Sequence, residues 1–222
     1  MSSTTTSAPA SALGSAPAKA GLILTVLILG ATVANINTSI SNVALPSIAS
    51  ALNATDTELT GITDAYQLGI AATVLYLGAV GDRYGRKGML LLGALLCVPF
   101  SLASAWSPNA VFLIVAQIAV GVAGGMLYPT TLSMITALWR GKKLTGAIAL
   151  WTGLGTGASV LGPIMGGYLL DNYWWGSVFL ITVPFALLVL VMGAIILPRS
   201  RAAEKAPVDH AGGSLSVVMI SS

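Results

Sequence analysis

Six long apolar runs limit what this chain can fold into. Each is close to or longer than the roughly 20 residues that a helix needs to cross a hydrocarbon core about 30 Å thick. The runs occupy residues 21–43, 60–80, 88–105, 110–138, 144–170 and 176–197. Backbone polar groups in lipid must bond internally, and the runs lack the alternation of strands. The expected fold class is therefore an all-α integral membrane protein with six transmembrane helices.

The composition excludes several other classes of protein. Of the 222 residues only 8% are charged and 55% are hydrophobic, whereas about 25% are charged in soluble domains. The net charge of +3 comes from scattered bases, so no nucleic-acid partner is expected. One cysteine and one histidine cannot build a disulfide framework or a metal cluster. We expect a lipid bilayer as the surroundings, no metal or cofactor, and no enzymatic activity, since no catalytic constellation or phosphate loop appears.

Four parts of the chain differ in composition. Residues 1–20, rich in Ser, Thr, Ala and Pro, predict a disordered cytoplasmic tail. A signal peptide is the alternative, but the apolar run continues into a full span. The bundle covers 21–197, and 198–214 is expected to be a cytoplasmic linker. Residues 215–222 resemble the start of an incomplete seventh helix, which favours a truncated chain over six spans acting as a dimer.

Prolines predict where helices end or bend, because proline lacks an N–H. Those beyond the apolar runs are expected to stop helices: Pro46, Pro108 and Pro198. Those within the runs predict kinks: Pro99, Pro129, Pro163 and Pro184.

The basic residues predict the orientation, because short cytoplasmic loops are rich in Lys and Arg. If the N-terminus is cytoplasmic, all ten bases lie inside: Lys19, Arg83, Arg86, Lys87, Arg140, Lys142, Lys143, Arg199, Arg201 and Lys205. The outer connections then hold only Asp56, Glu58 and Asp171. We expect a multi-pass protein of the plasma (inner) membrane.

A weak internal repeat divides the bundle. Gly78-x-x-x-Asp82-x-Tyr84 ends the second run, and Gly167-x-x-x-Asp171-x-Tyr173 ends the fifth. Spans one to three and four to six then form two inverted three-helix repeats, a device of transporters. Chance is the alternative, because Gly and Asp are common at helix ends.

The loop at 78–87 carries the most specific pattern. Its glycines permit close helix approach, its aspartate can pair with a base, and its bases anchor the cytoplasmic face. The residues concerned are Gly78, Asp82, Arg83, Gly85, Arg86 and Lys87. This pattern resembles the loop between helices two and three of the major facilitator superfamily. The resemblance implies a charge latch that opens and closes the inner face.

Three further matches narrow the resemblance. Residues 40–46 resemble the ending of the first helix in the fourteen-helix drug:proton antiporter branch, and residues 179–184 resemble the pattern of its sixth helix. The fifth run contains the antiporter-like motif Gly162, Pro163, Gly166 and Gly167. The chain thus resembles the N-terminal six-helix half of such a transporter. This implies export of small amphipathic or cationic molecules by alternating access, with a proton gradient as a possible energy source.

Two neutral residues depart from that branch. Asn37 stands where an aspartate is usual, and Gln117 stands where an arginine is usual. Replacing both partners avoids the cost of a stranded buried charge. Two interpretations remain open: a paired change hydrogen-bonded across the bundle, or two independent polar residues in a watery cavity. Proton coupling through the usual acid is therefore in doubt.

Asp64 is the acidic residue within the second run, and ionisable groups inside membranes are functional candidates. It could carry a proton or meet a cationic substrate; alternatively, interfacial water solvates it. The other residues expected to line a substrate cavity are Asn35, Asn37, Thr38, Gln67, Gln117 and Tyr128. Two function classes stay open: a secondary transporter, or a non-transporting membrane fragment that needs a partner half or a second copy.

Overall fold

A computed structural model describes residues 19–198, and within that range the chain is helical, as predicted. The α-helices are α1 (Ala20–Leu52), α2 (Asp56–Tyr84), α3 (Arg86–Ala105), α4 (Ala110–Leu138), α5 (Gly141–Gly157), α6 (Leu161–Asn172) and α7 (Thr182–Ile196). A 3-10 turn at Ala158–Val160 joins α5 to α6, and a 3-10 helix at Trp175–Ile181 leads into α7. These segments match the six predicted spans. Most of the predicted tail, nearly all of the linker and the start of the seventh helix lie outside the described residues.

Five segments of the described chain are long and apolar enough to cross a membrane, judged by length and composition. They are Ala20–Leu52, Arg86–Ala105, Ala110–Leu138, Gly141–Asn172 and Trp175–Ile196. The helix α2 is not among them, because polar residues such as Asp64 and Gln67 interrupt its apolar sequence. It is still one continuous helix of 29 residues, about 43 Å long, and it packs between spanning neighbours.

The expectation that Pro46 ends the first helix is wrong. The helix α1 continues through Pro46 to Leu52. Ala44 and Ile48, on either side of the proline, are fully buried in one apolar cluster. The close packing of these side chains offsets the missing backbone bond.

The other prolines lie where the sequence predicts. Pro108 separates α3 from α4, while Pro99 and Pro129 lie inside those helices. Pro163 and Pro184 are each the third residue of an α-helix that follows a 3-10 stretch. In both segments the helix type changes within three residues of the proline. The kinks themselves stay a prediction.

The helix contacts follow the inverted repeat. Suppose that the first span is exchanged with the fourth, the second with the fifth and the third with the sixth. Each large contact between two helices then becomes a helix contact that the structure also contains. Thus α2 and α3 both pack on α4, and correspondingly the fifth span (α5–α6) and α7 both pack on α1. The contacts of α1 with α4 and of α3 with α7 map onto themselves. The two three-helix units are therefore interleaved rather than side by side.

Two buried apolar clusters fill the bundle. The first includes Val26, Leu27 and Val33 of α1, and the second includes Ile36, Ile40 and Ile48 of the same helix. The helix α1 therefore runs through both clusters. Asn37 lies where one gives way to the other.

Glycines bring α2 and α4 into backbone contact. A Cβ atom on Gly121 would lie 2.3 Å from the carbonyl oxygen of Tyr66 and 3.0 Å from the Cα atom of Gly69. One turn later, a Cβ atom on Gly125 would lie 2.4 Å from the hydroxyl oxygen of Thr73. Gly121 and Gly125 have the spacing of small residues that lets membrane helices approach closely.

The hydroxyl of Tyr66 connects this contact to α1. Tyr66 is buried, and its hydroxyl donates a hydrogen bond to the carbonyl oxygen of Ala34 at 2.8 Å. Gly124 makes room for that ring, because a Cβ atom there would lie 2.9 Å from the hydroxyl oxygen. One side chain thus positions α1, α2 and α4 together.

A capping box fixes the start of α2. The backbone N–H of Thr55 donates to the Glu58 carboxylate at 2.8 Å, and the N–H of Glu58 donates to the Thr55 hydroxyl at 3.3 Å. The backbone N–H of Thr55 and, to a smaller extent, its hydroxyl both donate to the Glu58 carboxylate and hold the pKa of Glu58 below its ordinary value. Negative charge in the first turn also suits the helix dipole.

We predict that Gly121→Ala destabilises the bundle, because the new methyl group meets the backbone of α2 rather than a movable side chain. Overpacking of this kind costs about 1–3 kcal/mol of unfolding free energy. Denaturant unfolding of the purified protein in detergent measures it. Gly146→Ala is the matched control, since Gly146 is a helical glycine with open space around it. Equal stability of the two variants would contradict the backbone contact.

Candidate functional site

The polar residues predicted to line a cavity do not form one cluster. Asn37 and Gln117 are buried at the centre of the bundle, with 3% and 0% of their surfaces exposed. Asp64 and Gln67 lie on the exposed side of α2. Asn35, Thr38 and Tyr128 are partly buried. The structure therefore places one pair in the interior and leaves the others around it.

Ser41 joins the central pair. The side-chain amide of Gln117 donates to the Ser41 hydroxyl oxygen at 3.1 Å, and that hydroxyl donates to the backbone carbonyl of Asn37 at 3.0 Å. The side-chain oxygens of Asn37 and Gln117 have no hydrogen-bond partner. The two side-chain amides are therefore not hydrogen-bonded to each other directly. The helices α1 and α4 do bring both residues to one polar centre, where Ser41 connects them.

This centre carries no charge, and the side-chain oxygens of Asn37 and Gln117 are acceptors to which no group donates. A buried amide oxygen without a partner costs free energy, because it has lost its bond to water. Two such oxygens at one place can accept hydrogen bonds from a donor that enters the bundle. Sequence reasoning missed Ser41, although its spacing of four residues from Asn37 puts both on one helical face.

Two of the remaining candidates, Asn35 and Tyr128, have local partners. The amide of Asn35 donates to the carbonyl oxygen of Ala31, one turn earlier, at 3.0 Å. Tyr128 is 11 positions beyond Gln117 on α4, or about 16 Å along the axis. Its ring centroid is 5.0 Å from that of Trp151, whose indole donates to the Thr131 hydroxyl. Tyr128 is thus part of an aromatic contact between α4 and α5, away from the central pair.

The loop pattern forms a polar connection among three helices. The Asp82 carboxylate accepts a bond from the guanidinium of Arg86 at 2.6 Å and another from the hydroxyl of Ser133 on α4. Gly78 contacts Pro129, and Gly81 contacts Met89 at the same end of α2. The sequence pattern did not identify Ser133, because nothing in the loop indicates which residue of α4 faces it.

Lys87 and Gly85 complete this end of the bundle. The ammonium group of Lys87 donates to the carbonyl oxygens of Ala194 and Leu197 at 2.7 and 2.8 Å. It therefore caps the C-terminal end of α7, where a positive charge suits the helix dipole. Gly85 has φ of 130°, a conformation that favours glycine. It allows the sharp change of direction between α2 and α3.

The antiporter-like motif packs against α1 through two of its four residues. A Cβ atom on Gly162 would lie 2.8 Å from the Cβ atom of Ser39, and one on Gly166 would lie 3.7 Å from a methyl carbon of Val43. Pro163 is exposed, and a Cβ atom on Gly167 would meet nothing. The motif therefore supplies a close seam between α6 and α1, plus a proline beside it.

We predict that Asn37→Asp and Gln117→Arg each destabilise the bundle at neutral pH, because each strands a charge in its interior. The cost of an unpaired buried charge is about 3–5 kcal/mol. The double variant should cost less than the sum, by the roughly 0.5–3 kcal/mol typical of interacting neighbours. Denaturant unfolding of the four proteins gives the coupling energy. Strictly additive costs would mean that the two side chains do not share one centre.

Comparison with known proteins identifies the family. The model of the Major Facilitator Superfamily matches residues 5–219. The multidrug efflux pump LfrA of Mycolicibacterium smegmatis is 38% identical over 194 residues, which cover 87% of this chain and 38% of that protein. The methyl viologen resistance protein SmvA of Salmonella typhimurium is 35% identical over 200 residues, covering 90% of this chain and 40% of its own. The chain thus spans well under half the length of these relatives.

Solved structures show the same fold at low identity. The proton:xylose symporter XylE superposes with a TM-score of 0.70 at 16% identity, over 90% of this chain and 48% of that one. A peptide transporter, POT, gives a TM-score of 0.72 at 14% identity, over 89% of this chain and 43% of its own. The match in each case covers somewhat less than half of the solved transporter chain. With its family match and its six-segment bundle, the chain is a multi-pass membrane protein that belongs to the Major Facilitator Superfamily.

Proposed function

We propose that this chain is part of a secondary active exporter of small amphipathic or cationic molecules, working by alternating access. The observation that carries the proposal is its identity of 38% and 35% to proteins named a multidrug efflux pump and a methyl viologen resistance protein. Membership of the superfamily and the inverted three-helix repeat support the same conclusion, because such repeats supply two related arrangements around a site near the midplane.

The polar residues of the bundle favour a hydrogen-bonding donor or a cation as the molecule carried. The buried centre at Asn37 and Gln117 presents two unpartnered oxygens and no positive charge. Asp64 and Gln67 add a carboxylate and an amide on the exposed side of α2. A protonated amine would find acceptors in these oxygens and in the Asp64 carboxylate. An anion would meet repulsion from that carboxylate and would have only the N–H groups of neutral amides as donors. The energy source that we propose is the proton gradient, with Asp64 as the coupling group.

A second function rests on the surfaces that the bundle leaves open. The fifth span exposes apolar side chains along much of its length, among them Leu154, Val160 and Ile164. Because the chain spans 38% and 40% of its relatives, these surfaces fit a second six-helix half or a second copy of the chain. On this alternative, the chain alone does not transport and acts only after assembly.

We place the protein in the plasma membrane with its N-terminus in the cytoplasm. Lys142 and Lys143 are exposed at the start of α5, at the same end of the bundle as Arg86 and Lys87. Short cytoplasmic loops carry such bases. The opposite end carries the acidic residues of the first turn of α2.

The orientation can be tested by labelling with a membrane-impermeant maleimide in a Cys97→Ser background. We expect Ser50→Cys, at the end of α1, to react in intact cells. Lys142→Cys should react only after the cells are permeabilised. The background protein without either cysteine is the control, and the reverse labelling pattern would overturn the proposed orientation.

For transport, we expect cells that produce the protein to accumulate less methyl viologen than cells without it, and a protonophore to abolish the difference. Asp64→Asn should remove this difference if Asp64 couples proton movement to export. Asp171→Asn, at the exposed end of α6, is the matched control and should leave transport unchanged. Normal export by Asp64→Asn would eliminate the coupling role. Equal accumulation with and without the protein would favour the partner-dependent alternative.

A further inference from the structure

The proline of the antiporter-like motif interrupts the backbone bonding of the fifth span. Pro163 is the third residue of α6 and has no N–H. It therefore cannot donate to the carbonyl of Ser159, four residues earlier, as other residues in a helix do. Ser159 lies in the 3-10 turn between α5 and α6. The hydrocarbon core of a membrane contains no water, so a carbonyl without its backbone bond needs another hydrogen-bond donor there.

A hydroxyl group on α1 supplies that donor. The Ser39 side chain donates to the carbonyl oxygen of Ser159 at 2.8 Å, across 120 positions of sequence. Gly162 makes this approach possible, since a Cβ atom there would lie 2.9 Å from the Ser39 hydroxyl oxygen. Gly162 therefore provides room for the Ser39 side chain. Pro163 leaves the Ser159 carbonyl without a backbone donor, and the Ser39 hydroxyl donates to it instead.

The position of Ser39 on α1 connects the break with the polar centre. Each residue turns a helix by about 100°, so Ser39 points about 200° away from Asn37. Asn37 and Ser41 are linked to α4, while Ser39 bonds to the fifth span on the opposite side of α1. A change of bend at Pro163 would therefore act on α1 directly, and through it on the Asn37 carbonyl and the Ser41 hydroxyl.

We propose that Ser39 is a positioning residue whose hydroxyl completes the proline break of the fifth span and couples its bend to α1. The bond replaces the one that Pro163 cannot make. It holds the fifth span against the helix that carries Asn37. This role goes beyond transport of any particular molecule, and it can be measured without a transport assay.

The decisive experiment is a double-mutant cycle on the purified protein in detergent. Ser39→Ala should lower the midpoint of thermal unfolding by about 2–4 °C, the shift that corresponds to loss of one hydrogen bond in a chain of this size. In a Pro163→Ala background, Ser39→Ala should have almost no effect. There the residue at position 163 brings its own N–H to the Ser159 carbonyl, so the hydroxyl is no longer needed.

Two controls separate the hydroxyl from simple packing. Ser39→Thr keeps a hydroxyl and should retain the parent midpoint better than Ser39→Val, which has nearly the same shape. Pro129→Ala, on α4, should leave the cost of Ser39→Ala unchanged. The proposal is overturned if Ser39→Ala costs the same with Ala or Pro at position 163, or if the Thr and Val variants unfold alike.

Discussion

Close contact between helix backbones holds this bundle together. Lipid provides no hydrophobic force between helices, so packing and internal hydrogen bonds must do so. The contact of Gly69 with Gly121 brings α2 onto α4, and that of Gly162 with Ser39 brings α6 onto α1. The inverted repeat exchanges these two helix pairs. The same physical solution therefore occurs twice, each time between a helix of one three-helix unit and a helix of the other.

Charge lies towards the ends of the bundle, whereas its buried centre is neutral. Asp82, Arg86 and Lys87 join α2, α3, α4 and the end of α7 through short polar bonds. In contrast, the buried pair on α1 and α4 carries no charge. Buried ions without partners are expensive, whereas ions near water are not. This division puts the ion pair of Asp82 and Arg86 at an end of the bundle and leaves the buried centre without a charge.

The apolar runs predicted the number and position of the helical segments, because length and hydropathy reflect the bilayer directly. The prediction that α1 ends at Pro46 was wrong, because the end of this helix depends on packing around Pro46 that involves residues far away in sequence. The sequence left open whether Asn37 and Gln117 are hydrogen-bonded across the bundle, and for a related reason it could not show that Ser41 links them. Two residues can occupy the right helices at the right depth, yet the rotation of each helix decides which atoms meet. Ser41 and Ser133 owe their roles to that rotation.

A membrane helix has to keep its backbone groups hydrogen-bonded, and this requirement opposes any bending of the helix. A helix with every carbonyl bonded internally is rigid, and a helix with a freed carbonyl in lipid is unstable. Donation from Ser39 to the Ser159 carbonyl meets both demands, because a side-chain hydroxyl can follow the carbonyl over small rotations. Because Ser39 and Asn37 belong to one continuous helix, bending at Pro163 and rearrangement of the neutral centre become parts of a single motion.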